Sequence, residues 1–320
     1  MVYFICSLRK MQIGEAMNNE LFLKKTPSFD KIDHFDGNFV PSAIIFMSGS
    51  GTNAEKLLES PDCGKLWKCS AIVTDRVKGC RAKEIAERFN VPYILHDIFQ
   101  FYKDHGAETI SVATERGMEL RNLWTDELRK KIADVPHDFG LLAGFVPLSN
   151  IVGDFPCLNV HPGDLTIEKD GVRLLAGLHS GPVETAILEK HPALRSSVII
   201  ATPYNPGEKN VDSGFVLGIS APVAVELPDG VTLEQLQECK NSRIRGKGRD
   251  DLLGRIADEH IDRLKEGGDW ILFPAVTKAF TQGRYAYTEN NTLLWKCDDG
   301  IFREVKTVRF EKGEMIPVFL

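Results

Sequence analysis

Asn159 and His161 stand two residues apart in Cys157-Leu-Asn-Val-His161, an apolar run closed by Pro162. Alternate residues of a strand share a face, so this carboxamide and imidazole point the same way and can act on one carbonyl. Acyl transfer to an amine passes through a tetrahedral oxyanion. Asn159 can donate its side-chain N–H to that oxygen. A protonated His161 adds charge stabilisation and can then exchange a proton. A nearby carboxylate would accept one, and Asp212 is the best candidate. It lies in Asn210-Val-Asp-Ser-Gly214, a glycine-containing turn ahead of an apolar strand. The plainer alternative is that His161 ends a strand, Asn159 fills a turn and Asp212 does ordinary turn chemistry.

A second group of residues suits an anion. The apolar run 43–47 reads as a buried strand and ends in Ser48-Gly-Ser-Gly-Thr-Asn53, with a helical stretch from about 54 to 59. Glycines there allow positive φ and a close backbone approach, and the free N–H groups at a helix start favour a phosphate. Gly49-Ser-Gly-Thr-Asn-Ala54 also fits the dinucleotide fingerprint, with Asp75 closing the next strand. On its own the loop is compatible with a ligand phosphate, a nicotinamide cofactor or a tight turn without ligand. It is not a nucleoside-triphosphate loop, because no Gly-Lys-Ser/Thr follows.

The elements that must position these groups follow from apolar periodicity. Strands are expected at 71–74, 92–95, 138–145, 157–160, 196–201 and 215–225, and helices at 80–89, 114–133, 182–190, 250–265 and 270–281. Strands alternating with helices predict an α/β fold, with a mostly parallel sheet covered on both faces. Ligands in such sheets sit beyond the carboxyl ends of the strands, which is where Asn159 and His161 fall. Residues 1–40 show no sustained period and read as an N-terminal extension. The stretch 285–320 alternates apolar residues between turn signals and reads as a small antiparallel appendage, leaving 41–284 as the main domain.

A formal net charge of -6 argues against a general nucleic-acid binder. Seven scattered cysteines without a Cys-x-x-Cys pair point to a reducing cytoplasm and to no metal. No apolar run is long enough for a membrane partner.

Taken in order, Ser48-Gly-Ser-Gly-Thr-Asn53, Leu142-Ala-Gly-Phe145, Asn159-Val-His-Pro162, Gly177-Leu-His179 and Val211-Asp-Ser-Gly214 resemble the folate-dependent formyltransferase family, over about 43–284. The likeness is strongest to its purine-synthesis branch. The resemblance implies a Rossmann-like formyltransferase fold, 10-formyltetrahydrofolate as co-substrate and direct transfer to an amine, with glycinamide ribonucleotide the first acceptor to consider. It places the catalytic set on Asn159, His161 and Asp212. It places the acceptor on Gly49, Ser50, Gly51, Thr52, Asn53, Pro162 and Glu259, and the donor beside Leu142, Val146, Leu148 and Val211.

Some stretches depart from the family pattern. Val146-Pro-Leu-Ser149 replaces the usual Met-Arg-Ile-Leu. Residues 167–176 look inserted after His-Pro. Residues 261–270 separate Glu259-His260 from the Phe273-Pro274 that normally follows closely. A different acceptor, such as a sugar-nucleotide amine, therefore stays open, as does hydrolysis of the formylfolate. From other classes, a nicotinamide-dependent dehydrogenase would use the glycine loop and Asp75, and a non-catalytic folate or nucleotide binder would leave the catalytic set idle. Arg243, Arg245, Lys247 and Arg249 read either as a phosphate clamp or as a solvated loop.

Overall fold

The computed structural model describes residues 39–204, 212–244, 249–288 and 290–320. Most of the expected N-terminal extension lies outside them, as do Val211, Arg245 and Lys247.

In order come β1 (Ser42–Met47), α1 (Thr52–Glu59), β2 (Lys68–Thr74), α2 (Ala82–Phe89), β3 (Tyr93–Leu95), α3 (Ile98–Asp104), α4 (Glu115–Ile132), β4 (Phe139–Leu142) and β5 (Cys157–His161). Strand and helix alternate up to β3 as the periodicity predicts; an unexpected helix, α3, then precedes α4, and β4 and β5 follow without an α-helix between them. A hairpin of β6 (Glu168–Lys169) and β7 (Val172–Arg173) precedes α5 (Gly181–Leu188), β8 (Ala193–Leu194), β9 (Ser197–Ile200), β10 (Val216–Ser220), β11 (Val223–Ala224) and α6 (Leu233–Asn241). Then α7 (Leu252–Leu264) passes through a π-helical turn, Lys265–Asp269, into α8 (Trp270–Thr281). Four strands follow: β12 (Tyr285–Tyr287), β13 (Leu293–Lys296), β14 (Phe302–Glu311) and β15 (Glu314–Phe319).

An eleven-stranded sheet runs β12-β13-β14-β10-β9-β5-β4-β1-β2-β3, with β15 on the far side of β14. From β5 to β3 every pair is parallel. β9 is antiparallel to both β5 and β10. The expected antiparallel strands at the end of the sequence are present, and they continue the main sheet. β14 pairs in parallel with β10 while its other contacts, to β13 and β15, are antiparallel.

Period-two alternation sorts the sheet into two faces. In β1, Ala43, Ile45 and Met47 join one core with residues of α1, α2 and α8. Ile44 and Phe46 join the opposite core with Tyr102 of α3 and Trp124 of α4. All six residues of β1 are buried, and Ile44, Ile45, Phe46 and Met47 each contribute about 1.5–3 kcal/mol. That fixes the strand whose end carries the glycine loop. A third cluster, with Leu175, Val183, Leu236, Leu253 and Ile256, packs α5, α6 and α7 together.

From β1 the chain moves outward to β2 and β3, then returns on β1's other side as β4. Connections diverge there, and the crevice beyond the carboxyl ends of β1 and β4 is where ligands of such sheets bind.

Candidate active site

Two cavities open at this edge. The larger holds about 470 Å³ and is lined by the whole glycine loop from Gly49 to Asn53, by 143–146 after β4, and by Asn159, His161, Pro162 and Asp212. The smaller holds about 90 Å³ between Leu142, Val146, Leu148, Ile151, Ile199 and Tyr204. Asn159 and Asp212 line both.

The glycine loop owes its shape to Gly51. Its φ of 73° is left-handed, and a Cβ there would lie 2.4 Å from Ile85 Cδ1. Gly51 caps α1 without a side-chain hydrogen bond, so the first N–H groups of the helix lack intrahelical acceptors. Ser48 ties the loop to its neighbour: its N–H donates to the Gly144 carbonyl at 3.2 Å, and its Oγ accepts from Val146 N–H at 2.9 Å.

β5 sits between β4 and β9, with Asn159 opposite Leu142 and Ile199. Leu158 and Val160 pack into the core on one face, which leaves Asn159 and His161 on the other. The turn after His161 is bracketed by Ser197, whose Oγ donates to the Gly163 carbonyl at 2.7 Å and accepts from Leu165 N–H at 3.0 Å.

His161 is buried, and its Nε2 lies 2.7 Å from the Leu175 carbonyl. A carbonyl only accepts, so Nε2 carries the hydrogen. Nδ1 is then the nitrogen available for proton exchange, and it lies 3.6 Å from Asp212 Oδ2. That is longer than a hydrogen bond. Gly177 N–H donates to the same Oδ2 at 3.2 Å. The structure thus brings all three expected catalytic residues to one wall.

Other expected positions divide. Gly49, Ser50, Gly51, Thr52, Asn53 and Pro162 line the larger cavity, while Leu142 and Leu148 line the smaller and Val146 lines both. Glu259 needs correction. It is exposed and lines neither cavity, because it falls on the outer side of α7. Its neighbour His260 is buried and structural, with Nδ1 on the Ile256 carbonyl and Nε2 accepting from Glu226 N–H. The residue in the wall is Asp269, at the end of the π-helical turn. The extra residue of such a turn shifts the phase of the helix. Asp269 is buried, accepts from Asn53 Nδ2 at 2.9 Å and from Ser196 Oγ, and burial raises its carboxyl above the ordinary value against the pull of those donors. Asp258, Ile261 and Lys265 share the wall with it. Sequence carried a cue: Asp269-Trp270 lies close before Phe273-Pro274, the pair from which residues 261–270 separate Glu259-His260.

The dinucleotide alternative loses its acidic residue. Asp75 is buried and gripped by Arg76, with Nη2 at 2.7 Å and Nε at 3.1 Å from Oδ2. The described ends of the basic run are ion-paired as well: Arg243 binds Glu184 and Asp251, and Arg249 lies 3.7 Å from Glu184. Among the described residues no group of His, Cys, Asp and Glu is arranged to hold a metal ion, and no helix is long and apolar enough to cross a membrane.

No protein-family model and no curated protein matches the sequence. Solved structures do. The phosphoribosylglycinamide formyltransferase of Anaplasma phagocytophilum matches with TM-score 0.51 at 15% identity, covering 86% of this chain and 100% of its own. That of Coxiella burnetii, in complex with CHES, matches with TM-score 0.52 at 18% identity, covering 83% and 96%. The chain has the formyltransferase fold. At these identities the likeness is one of architecture, a mostly parallel central sheet with helices; in this chain the sheet is extended by the strands β12 to β15.

Proposed function

We propose that this protein transfers a formyl group from 10-formyltetrahydrofolate to the amine of a small phosphorylated acceptor, with glycinamide ribonucleotide the first candidate. The observation that carries the reading is the shared wall: Asn159 and Asp212 line both cavities, and His161 stands beside Asp212. A donor seated in the smaller cavity and an acceptor in the larger would meet at those side chains.

The chemistry then distributes as follows. The acceptor amine attacks the formyl carbon, and Asn159 donates to the oxyanion that forms. One amine proton must leave, and one proton must reach the folate nitrogen as its bond to carbon breaks. His161 Nδ1 and Asp212 would take the first and supply the second. The glycine loop would receive the acceptor phosphate on its N–H groups. Leu142, Val146 and Leu148 would flank the pteridine; Val211, expected beside it as well, lies outside the described residues. The smaller cavity is tighter than a bicyclic ring, so a donor seats there only if a lining side chain such as Leu148 or Tyr204 swings aside. On this reading 41–284 is the formyltransferase domain and the protein acts in purine synthesis.

The first test is calorimetric titration with a non-transferring 10-formyltetrahydrofolate analogue, followed by a screen of amine acceptors. Saturable binding with transfer to glycinamide ribonucleotide is expected. Absence of analogue binding, or binding without transfer to any amine, would sink the reading.

A further inference from the structure

The hairpin of β6 and β7 does more than lengthen the loop after His161. It closes through its strand register, Glu168 opposite Arg173, and through Leu174 N–H on the Ile167 carbonyl at 3.0 Å. The chain that leaves it touches the catalytic pair three times at alternate residues. Arg173 Nη1 donates to the backbone carbonyl of Asp212. The Leu175 carbonyl accepts from His161 Nε2 at 2.7 Å. Gly177 N–H donates to the Asp212 carboxylate at 3.2 Å.

We propose that Arg173 is a positioning residue that holds Asp212 against His161 from the inserted hairpin. The inference rests on the formyl-transfer reading for its kinetic consequence, though not for its geometry. Asp212 lies in a turn ahead of β10, outside the strand ladder, so its place depends on side contacts. The guanidinium grips its main chain and the Gly177 N–H grips its carboxylate. Both come from one short strap whose middle residue also holds His161. Leu175 anchors that strap in the core shared by α5 and α7. Gly163 lets it approach, since a Cβ there would lie 2.6 Å from the Leu175 carbonyl and 3.1 Å from His161 Nε2. Burial of Arg173 disfavours its charge, and Glu168 and Asp212 counter that. Its cation therefore sits in the field of the carboxylate whose main chain it holds. An arginine suits this post, because its rigid planar fork keeps its charge and its donor direction when half-buried.

The test compares wild type, Arg173→Met, Arg173→Lys, Asp212→Asn and the Arg173→Met/Asp212→Asn double variant, each first shown to fold by circular dichroism. Arg173→Met is expected to lower kcat by about 100-fold, the cost of misplacing a catalytic group by about an ångström, with both KM values little changed. Arg173→Lys keeps the charge and a donor, recovers part of the loss, and covers the case in which Met unfolds the hairpin. In the Asp212→Asn background Arg173→Met is expected to cost nothing more, because both changes disable the same device. An unchanged kcat in Arg173→Met, or a full second loss in the double variant, overturns the proposal. Should the wild type transfer formyl to no amine, the functional reading falls alone, and the 15N resonances of the His161 ring decide for Arg173. A shifted Nδ1 signal in Arg173→Met supports the positioning role, and an unshifted one overturns it.

Discussion

His161 meets Asp212 at 3.6 Å through Nδ1 while the Leu175 carbonyl holds its other nitrogen. The imidazole therefore has one free nitrogen, and it faces a carboxylate at the junction of two cavities. Replacing Asp212 by Asn keeps the size of the side chain and removes its charge and basicity. Turnover is expected to fall by roughly 10²–10⁴, the usual worth of a positioned acid or base. The Kd of a donor analogue should stay close to that of wild type, since help given only in the transition state changes rate more than affinity. Equal turnover in the variant would remove Asp212 from the mechanism.

Asn159 is expected to act on rate in another way. Its amide does not titrate, so under the proposed transfer it would contribute a hydrogen bond to a developing charge. Asn159→Ala should lower kcat by about 10²–10³. Leu142 and Ile199, its neighbours in register, hold the strand in place, so the fold should persist. A raised KM with an unchanged kcat would reassign Asn159 to ground-state binding.

Asp269 gives a stability prediction with a defined sign. Burial raises its folded-state carboxyl above the ordinary value of 3.8. Below that ordinary value both folded and unfolded chains hold the proton, and Asp269 costs nothing. As pH rises past it, the unfolded chain releases the proton first and stability is lost, until the folded-state value is passed. Asp269→Asn should therefore raise the Tm at neutral pH, and the gain should vanish in strong acid. The same change should raise KM for the acceptor, because Asp269 lines the larger cavity and holds Asn53. Thermal melts of both proteins across pH decide it; a variant less stable at neutral pH contradicts the argument.

Asn159 and His161 were legible because a strand period of two puts them on one face whatever the tertiary structure. Asp212 was legible through its turn residues and its place in the order of motifs, though its contact with His161 is set by the strap at 173–177. Asp269 was passed over. The resemblance to a Glu-His pair pointed to Glu259, which is exposed on α7, whereas Asp269 comes into the wall only after the π-helical turn between α7 and α8. The hairpin of β6 and β7 was visible as an insertion, but a side chain reaching a distant main-chain carbonyl leaves no trace in spacing. The alternation in 285–320 was likewise plain, whereas the pairing of β14 with β10 is not. Which edge a strand joins depends on what the rest of the sheet leaves open.

Gly49 and Gly51 separate the binding role of the glycine loop from its structural one. At Gly51 the left-handed φ costs an alanine about 1–2 kcal/mol in the backbone alone. A methyl would also press on Ile85 and on Met47 Cε at 2.5 Å, so the total should be larger. Gly51→Ala is expected to lower the Tm by a few degrees, at about 1.5 °C per kcal/mol for a chain of this size. At Gly49 a Cβ meets nothing within 4 Å. Gly49→Ala should therefore leave stability within about 0.5 kcal/mol of wild type. Yet Gly49 borders the larger cavity, and a methyl there takes room from any phosphate seated on the loop. The expected result is a raised KM for the phosphorylated acceptor with an unchanged KM for the folate. If neither KM moves in Gly49→Ala, the acceptor phosphate does not approach the loop at that residue, and the anion must be sought along the wall formed by Lys265 and Asn53.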